Sequence, residues 1–253
     1  MIKLARPERL NAMNPLFFSE FERAAAELGG TEGIRAIVVG GKGQHFSAGL
    51  DLKESALLGL GGPSAQVARA TYREVRDLQR SFSVLNGLAQ PSIAAVTGYC
   101  IGGGLDLAAA CDLRVASADA LFSLREAKMA MVADLGSLQR LPAIIGRGHL
   151  MEMALTGGDI DALRAREIGL VNHVLDDADA TWNKALEIAA AIAANSPLAT
   201  SGTKAIIAGV YDSRLEADLD RVALWNSAFL RSADLAEAIA AFAAKREPRF
   251  QGE

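Results

Sequence analysis

The chain has 253 residues, of which 51% are hydrophobic and 22% charged, and its formal net charge is −4. This length and composition predict a globular protein with one large core or two modest ones. An acidic chain without a concentrated basic face is not expected to bind nucleic acid, and no apolar run reaches the length of a membrane span.

The histidines and cysteines show no metal-binding or disulfide pattern. His45, His149 and His173 lack the spacing of metal ligands, so we expect no metal site. Cys100 and Cys111 lie in apolar surroundings without CxxC spacing, which favours buried free thiols. The first residues carry charges where a secretion signal needs an apolar segment, and the last three are not a peroxisomal signal. We therefore expect a cytoplasmic protein.

Strands and helices are predicted to alternate in the first part of the chain. Short apolar, partly β-branched runs predict buried strands at Ile2–Leu4, Ile34–Val39 and Ile93–Val96. Helices are predicted between Asn14-Pro15 and Gly29-Gly30 and over residues 65–88. Phe46–Glu54 is predicted to pass from strand to helix over a glycine, and residues 57–64 to form a mobile loop. This order indicates an α/β fold with short parallel strands.

Residues 92–111, SIAAVTGYCIGGGLDLAAAC, combine the features of a ligand site. The apolar strand leads through Gly102–Gly104 into an Ala/Leu-rich segment with high helix propensity. Such a turn leaves backbone N–H groups free at a helix N-terminus, with no Cβ to block a ligand. Asp106 follows among leucines and alanines, where a carboxylate is costly unless it is partnered or used.

The chain after Cys111 is predicted to add further strands and then only helices. The predicted strands are Leu113–Ala116, Ala120–Ser123 and Leu170–Val174. The predicted helices are Leu138–Ile145, interrupted at Pro142, then one from Asp161 to Gly169, then Trp182–Ala194 and Ser196–Lys245. We therefore divide the chain into an α/β body, residues 1–195, and a helical C-terminal region, residues 196–253. The recurring strand–turn–helix units indicate a superhelical core.

Four ordered motifs together resemble the crotonase superfamily, the enoyl-CoA hydratase/isomerase fold. They are RPERLNAMN at residues 6–14, FSAGLDLKE at 46–54, GYCIGGGLDLAAACDLRVAS at 98–117 and TGGDIDALRAREIGLV at 156–171. The resemblance covers essentially the whole chain. It implies a superhelical spiral of ββα units, a C-terminal helical trimerisation region, and a homotrimer or a dimer of trimers. It also implies chemistry on acyl-CoA thioesters without a separate cofactor, because CoA is part of the substrate.

The resemblance assigns catalytic roles to two backbone amides and three carboxylates. The amides of Leu50 and Gly103 would hold the oxygen of an enolate, and each lies at a glycine-rich turn. Hydratases of the family carry two glutamates, at the positions matched here by Asp106 and Glu126. With Asp134, these residues resemble the triad of the Δ3,5-Δ2,4-dienoyl-CoA isomerases. In the implied assignment Glu126 is the base at C2, Asp134 is the acid at C6, and Asp106 orients or tunes Glu126.

The chemistry of the three carboxylates favours an isomerase. Moving two conjugated double bonds takes a proton from C2 and returns one at C6, which two separated carboxyl groups can do. Three carboxylates in an apolar pocket cannot all ionise comfortably, so at least one should have a raised pKa. Trp225-Asn226 and residues 195–204 also resemble that subfamily. The alternatives are an enoyl-CoA hydratase, which has no evident use for Asp134, and a non-catalytic binding protein of the same fold.

The residues that the resemblance assigns to CoA come from three parts of the chain. They are Arg9, Leu10, Ala48, Leu50, Asp51, Leu52, Lys53, Phe242 and Lys245. The backbone of Ala48–Leu52 matches the family's adenine pocket, and Lys53 could meet a phosphate. Phe242 and Lys245 match a helix that in relatives reaches the CoA of a neighbouring subunit. Each lysine also fits an ordinary solvated surface charge.

Overall fold

A computed structural model describes residues 1–55, 64–211 and 214–252, and two sheets form its α/β body. The larger sheet is parallel throughout, and its strands in spatial order are β1 (Ile2–Leu4), β2 (Ile37–Gly41), β3 (Ser92–Val96), β5 (Leu113–Ser117) and β8 (His173–Leu175). The smaller sheet contains β4 (Tyr99–Ile101), β6 (Leu121–Ser123) and β7 (Asp159–Asp161), with β7 antiparallel to β6. The chain passes from the larger to the smaller sheet at β3–β4 and again at β5–β6. This repeated step produces the expected superhelical spiral.

Helices follow the strands and then make up the C-terminal part. They are α1 (Pro15–Gly30), α2 (Ala65–Asn86), α3 (Gly103–Ala110), α4 (Ser137–Thr156), α5 (Ala162–Glu167), α6 (Ala178–Ala193), α7 (Pro197–Tyr211), α8 (Leu215–Phe229) and α9 (Ala233–Ala243). Asn14 and Asp161 are N-caps, as their sequence context predicts, and each side chain accepts a hydrogen bond from the N–H three residues later. None of the described helices is long and apolar enough to cross a membrane.

The larger sheet buries both of its faces. Val38, Ile93 and Val115 point to one face and pack against α6. Val39 and Ala94 point to the other face, into the main core that also contains α1, α2 and α3. Because side chains alternate along a strand, a continuous apolar run supplies both faces. Every residue of α3 is buried, so this helix is the centre of the fold.

Several element bounds differ from the sequence-based prediction. Strands β2 and β8 each begin three residues later than predicted. The short strands β4 and β7 were not predicted, because three residues are too few to show a period of two. Helix α4 continues through Pro142 and is instead broken at Gly146, whose φ is +74°. Pro142 lies in the second turn of α4, where proline removes one helical N–H donor but does not end the helix.

The prediction of a helix within Phe46–Glu54 is wrong. This segment is irregular, with isolated bridges from Ser47 to Cys100 and from Leu50 to Met13. Its backbone groups bond to neighbouring segments of the chain, so they are not available for helical bonds. Of the loop predicted at residues 57–64, positions 57–63 lie outside the described residues. Ser64 is the N-cap of α2.

The C-terminal helices contact the α/β body and leave apolar side chains exposed. Helix α7 is tied to the body by an ion pair between Lys204 and Asp112 at 2.8 Å, and α8 packs along α2. The large apolar side chains exposed on α7 and α8 are Leu198, Ile206, Ile207, Val210, Tyr211, Leu224, Trp225 and Phe229. The division into two domains at residue 195 stays a prediction. Cys100 and Cys111 are both free and buried, as expected.

Candidate active site

Two backbone turns meet at the N-terminus of α3. Gly49 has a left-handed φ of +86°, and a Cβ there would lie 2.7 Å from the Ile101 carbonyl oxygen and 3.2 Å from the Gly103 nitrogen. The turn that carries Leu50 therefore lies directly against the start of α3. Among the described residues, nothing accepts a hydrogen bond from the N–H of Leu50 or of Gly103. Free N–H groups in such turns can bind the oxygen of a thioester or an enolate.

The Leu50 turn is held from its other side by the segment that follows β1. The Met13 N–H donates to the Gly49 carbonyl at 2.8 Å, and the Asp51 N–H donates to the Met13 carbonyl at 2.9 Å. The Ser47 hydroxyl accepts from the Gly49 N–H at 3.1 Å. These bonds use the amides on both sides of Leu50, so the Leu50 N–H is left as the donor that faces the site.

Asp106 is buried one turn inside α3, with 1% of its surface exposed. Its Oδ1 accepts a hydrogen bond from the backbone N–H of Ser137 at 2.6 Å, which ties α3 to the start of α4. Burial raises the pKa of Asp106 to about 6, while the Ser137 bond and the Arg140 charge work against this rise. Asp106 therefore ionises more readily than a buried carboxyl without these partners would.

Glu126 begins a short 3₁₀ helix just after β6, and its carboxyl group lies beside the glycine turn of α3. A Cβ built on Gly102 would lie 3.1 Å from Glu126 Oε1. Oε2 is buried and has no hydrogen-bond partner among the described residues. Burial raises the pKa of Glu126 to about 8, and the neighbouring Asp106 and Asp134 charges add to the rise. A carboxyl group held in this way is suited to proton transfer near neutral pH.

Asp134 lies in the segment between this 3₁₀ helix and α4. Its Oδ2 accepts a hydrogen bond from the Asn226 side-chain amide of α8 at 2.7 Å, and the same amide donates to the Val132 carbonyl at 2.8 Å. Burial raises the pKa of Asp134 to about 7, against the lowering effect of Asn226, and the Asp106 charge raises it further. The three carboxylates thus interact electrostatically, as the sequence predicts for one pocket.

Several residues that hold the carboxylates in place carry no recognisable sequence motif. Arg140 of α4 donates to the Leu135 carbonyl at 3.2 Å, and a Cβ on Gly136 would clash with its guanidinium. Gln79 of α2 donates to the Asp134 carbonyl at 2.7 Å. The only indication of such a role in the sequence is that Gln79 is polar within the apolar stripe of α2. Within the described residues, no group of His, Cys, Asp or Glu is arranged to hold a metal ion.

Comparison with known proteins assigns the whole chain to one family. A family model described as enoyl-CoA hydratase/isomerase matches residues 1–253. The chain belongs to this family.

Two relatives of known name belong to one subfamily of these enzymes. The chain is 40% identical over 249 residues to the peroxisomal Δ3,5-Δ2,4-dienoyl-CoA isomerase of Arabidopsis thaliana, covering 97% of this chain and 90% of that protein. It is also 40% identical over 251 residues to the mitochondrial enzyme of the same name from Dictyostelium discoideum, covering 98% and 86%. A crystal structure of an enoyl-CoA hydratase/isomerase from Pseudoalteromonas atlantica T6c matches with a TM-score of 0.85 and 27% identity, covering 98% and 95%.

The residues that the sequence analysis assigns to the adenine side of CoA lie together. The Ala48 N–H donates to the Leu10 carbonyl at 3.0 Å, which places the segments 9–10 and 48–53 side by side. Asp51 is buried, and its carboxylate pairs with Arg6 at 3.3 Å. Lys53, Arg9 and Leu10 are exposed, and Leu52 is half-buried. A mobile nucleotide handle needs an accessible surface of this kind.

Phe242 and Lys245 lie elsewhere, at the end of α9. Phe242 is 65% exposed, and Lys245 follows in a left-handed conformation with φ of +51°. Among the described residues, no hydrogen bond or ion pair joins either side chain to the segments at 9–10 and 48–53. Their assignment to a neighbouring subunit's CoA therefore stays a prediction.

Proposed function

We propose that this enzyme is a Δ3,5-Δ2,4-dienoyl-CoA isomerase in the β-oxidation of unsaturated fatty acids. The observation that carries the proposal is the half-buried Asp134 carboxyl group, which is held by Asn226 and interacts electrostatically with Asp106 and Glu126. The Arabidopsis and Dictyostelium relatives carry the isomerase name, which supports the same assignment.

In the proposed reaction the backbone half of the site holds the thioester oxygen. The N–H groups of Leu50 and Gly103 donate to that oxygen and stabilise the negative charge that develops on it. Glu126 removes the proton at C2, and the electron pair of that bond forms the C2=C3 double bond. The π electrons of C3=C4 move to C4=C5, and those of C5=C6 take a proton at C6 from Asp134. Each carboxyl group thus changes its protonation state once in the chemical step and returns to its starting state before the next turnover.

The pKa values identify which proton states interconvert. Between a pKa of about 7 for Asp134 and about 8 for Glu126, the pair holds one proton. With the proton on Asp134 the site is ready for conversion of the 3,5-diene. With the proton on Glu126 it is ready for the reverse reaction.

The Asp134→Asn variant tests the proposal. It removes the proton donor at C6 and keeps the base Glu126, so net migration of the diene is expected to be abolished. Exchange of the C2 hydrogen with deuterated solvent is expected to continue. The measurement is diene absorbance with 3,5-dienoyl-CoA beside deuterium incorporation at C2. Full isomerase activity in this variant would overturn the proposed function and leave the family assignment standing.

The second candidate function is hydration of trans-2-enoyl-CoA, favoured by the paired carboxyl groups of Asp106 and Glu126. A hydratase needs only these two groups, so Asp134→Asn would leave water addition largely intact. Offering both substrates to the wild-type enzyme and to the variant separates the two reactions. The third interpretation, a non-catalytic binding protein, is set aside because the chain belongs to an enzyme family and has all three carboxyl groups.

The oligomer and the location are also proposals. The exposed apolar side chains on α7 and α8, among them Ile206, Trp225 and Phe229, support a homotrimer or a dimer of trimers. Sedimentation at micromolar concentration tests this, and a monomeric mass would contradict it. The cytoplasmic location stays a prediction from the sequence, and the two relatives are named as peroxisomal and mitochondrial.

A further inference from the structure

Gln79 is a buried polar side chain on the stripe of α2 that faces the protein interior. Only 1% of its surface is exposed, and its neighbours on this stripe, Val75 and Phe82, are fully buried and apolar. A buried amide is costly unless its donors and acceptor are used. Its position in the middle of α2 places it between the Asp134 segment and α8.

The Gln79 side chain connects three parts of the fold. Its Nε2 donates to the Asp134 carbonyl at 2.7 Å and to the Leu219 carbonyl of α8 at 3.0 Å. Its Oε1 accepts from the Arg76 guanidinium at 2.9 Å. Arg76 also pairs with Glu216 of α8. Both N–H groups of the amide are therefore committed, and its orientation is fixed by a charged partner.

The two carbonyls that Gln79 binds belong to segments that define the position of the Asp134 carboxyl group. One is the carbonyl of Asp134 itself. The other lies on α8, the helix that also carries Asn226, the hydrogen-bond donor to the carboxylate. Gln79 thus fixes the backbone of Asp134 relative to the helix that holds its side chain. An apolar residue at this position would leave two buried carbonyls without this donor.

We propose that Gln79 is a positioning residue that sets the reach of the Asp134 carboxyl group toward C6 of the substrate. This inference rests on the proposed function of Asp134. Gln79 does not touch the reacting atoms, because its contact is with the main chain of Asp134. A displacement of about 1 Å between reacting groups can cost up to about 100-fold in rate.

The test compares Gln79→Met with Gln139→Met. Gln139 is a matched control because its Nε2 also donates to a carbonyl of α8, that of Asp218 at 3.3 Å, without binding the Asp134 segment. Gln79→Met is expected to lower kcat for diene migration by about 10-fold to 100-fold, with KM unchanged. Deuterium exchange at C2, which depends on Glu126, is expected to stay near the wild-type rate. Gln139→Met is expected to keep both rates.

A purely structural role for Gln79 would give a different result. Loss of packing would reduce C2 exchange and diene migration together, and that outcome would overturn the inference, as would wild-type migration in Gln79→Met. If Gln79→Met does not fold, Gln79→Asn is used instead, because it keeps a polar amide that is one methylene too short to reach both carbonyls. The ratio of diene migration to C2 exchange then tests the positioning role in the same way. Full migration in Asp134→Asn would instead show that the proposed function fails. If Asp134→Asn loses diene migration while the Gln79 variants keep wild-type rates, only the positioning role of Gln79 is refuted.

Discussion

The candidate site has a backbone half and a side-chain half, which are built differently. Leu50 and Gly103 contribute main-chain N–H groups, positioned by glycine turns that contact each other at the start of α3. Asp106, Glu126 and Asp134 contribute carboxyl groups held by hydrogen bonds from separate helices or by burial alone. The backbone half depends on the fold, whereas the side-chain half can change with single residues. A family can therefore keep one oxyanion site and change the reaction.

The largest effect is expected from removing the base in the side-chain half. Glu126→Gln keeps the shape of the side chain and removes its ability to accept a proton. Isomerase turnover is therefore expected to fall by about 10²-fold to 10⁴-fold. Affinity for the CoA ester should change little, because the nucleotide handle supplies most of the binding. The measurement is kcat with 3,5-dienoyl-CoA beside equilibrium binding of a CoA ester. Near-normal turnover would show that the role of Glu126 is misassigned.

The second effect should come from disturbing the backbone half. Gly49→Ala introduces a Cβ 2.7 Å from the Ile101 carbonyl at a left-handed φ, so the Leu50 N–H must move relative to Gly103. Loss of one such donor typically lowers the rate by about 10²-fold to 10³-fold, and this range is expected here for kcat. Gly30→Ala at the end of α1 is the control, because a Cβ there meets nothing within 4 Å. Equal activity of the two variants would argue against an oxyanion site at Leu50.

The sequence predicted the backbone half more completely than the supports of the side-chain half. The glycines at 102–104 directly indicate a turn with free N–H groups, because a tight turn requires glycine at the turn itself and can be recognised from a few neighbouring residues. The bond from Gln79 to the Asp134 carbonyl joins residues 55 positions apart, and no local pattern encodes it. The local pattern also gave a wrong prediction at Phe46–Glu54, where backbone hydrogen bonds to Met13, Tyr99 and Ile101 replace the expected helix. Contacts between distant segments are thus what the sequence alone did not provide.

The smallest expected effect concerns the free energy of unfolding and follows from the raised pKa values of the side-chain half. In the folded protein the pKa is about 8 for Glu126, about 7 for Asp134 and about 6 for Asp106, all above the ordinary carboxyl range. Between about pH 4 and pH 8 these three groups therefore bind more protons in the folded state than in the unfolded state. Their contribution to the free energy of unfolding falls as the pH rises through this window.

Glu126→Gln removes the group with the largest rise, so it should flatten this dependence. At pH 8 the variant is expected to be more stable than wild type, because the folded state no longer has to ionise a carboxyl group whose pKa is raised by burial. At pH 4 the two should unfold at similar temperatures. Thermal unfolding at both pH values measures the difference. Glu237→Gln is the control for the part of the window above about pH 6, because Arg246 lowers the pKa of Glu237 to about 2 and the unfolded carboxyl group is also ionised there, so its loss should leave that part of the slope unchanged. An unchanged slope in Glu126→Gln would mean that Glu126 ionises as an ordinary carboxylate.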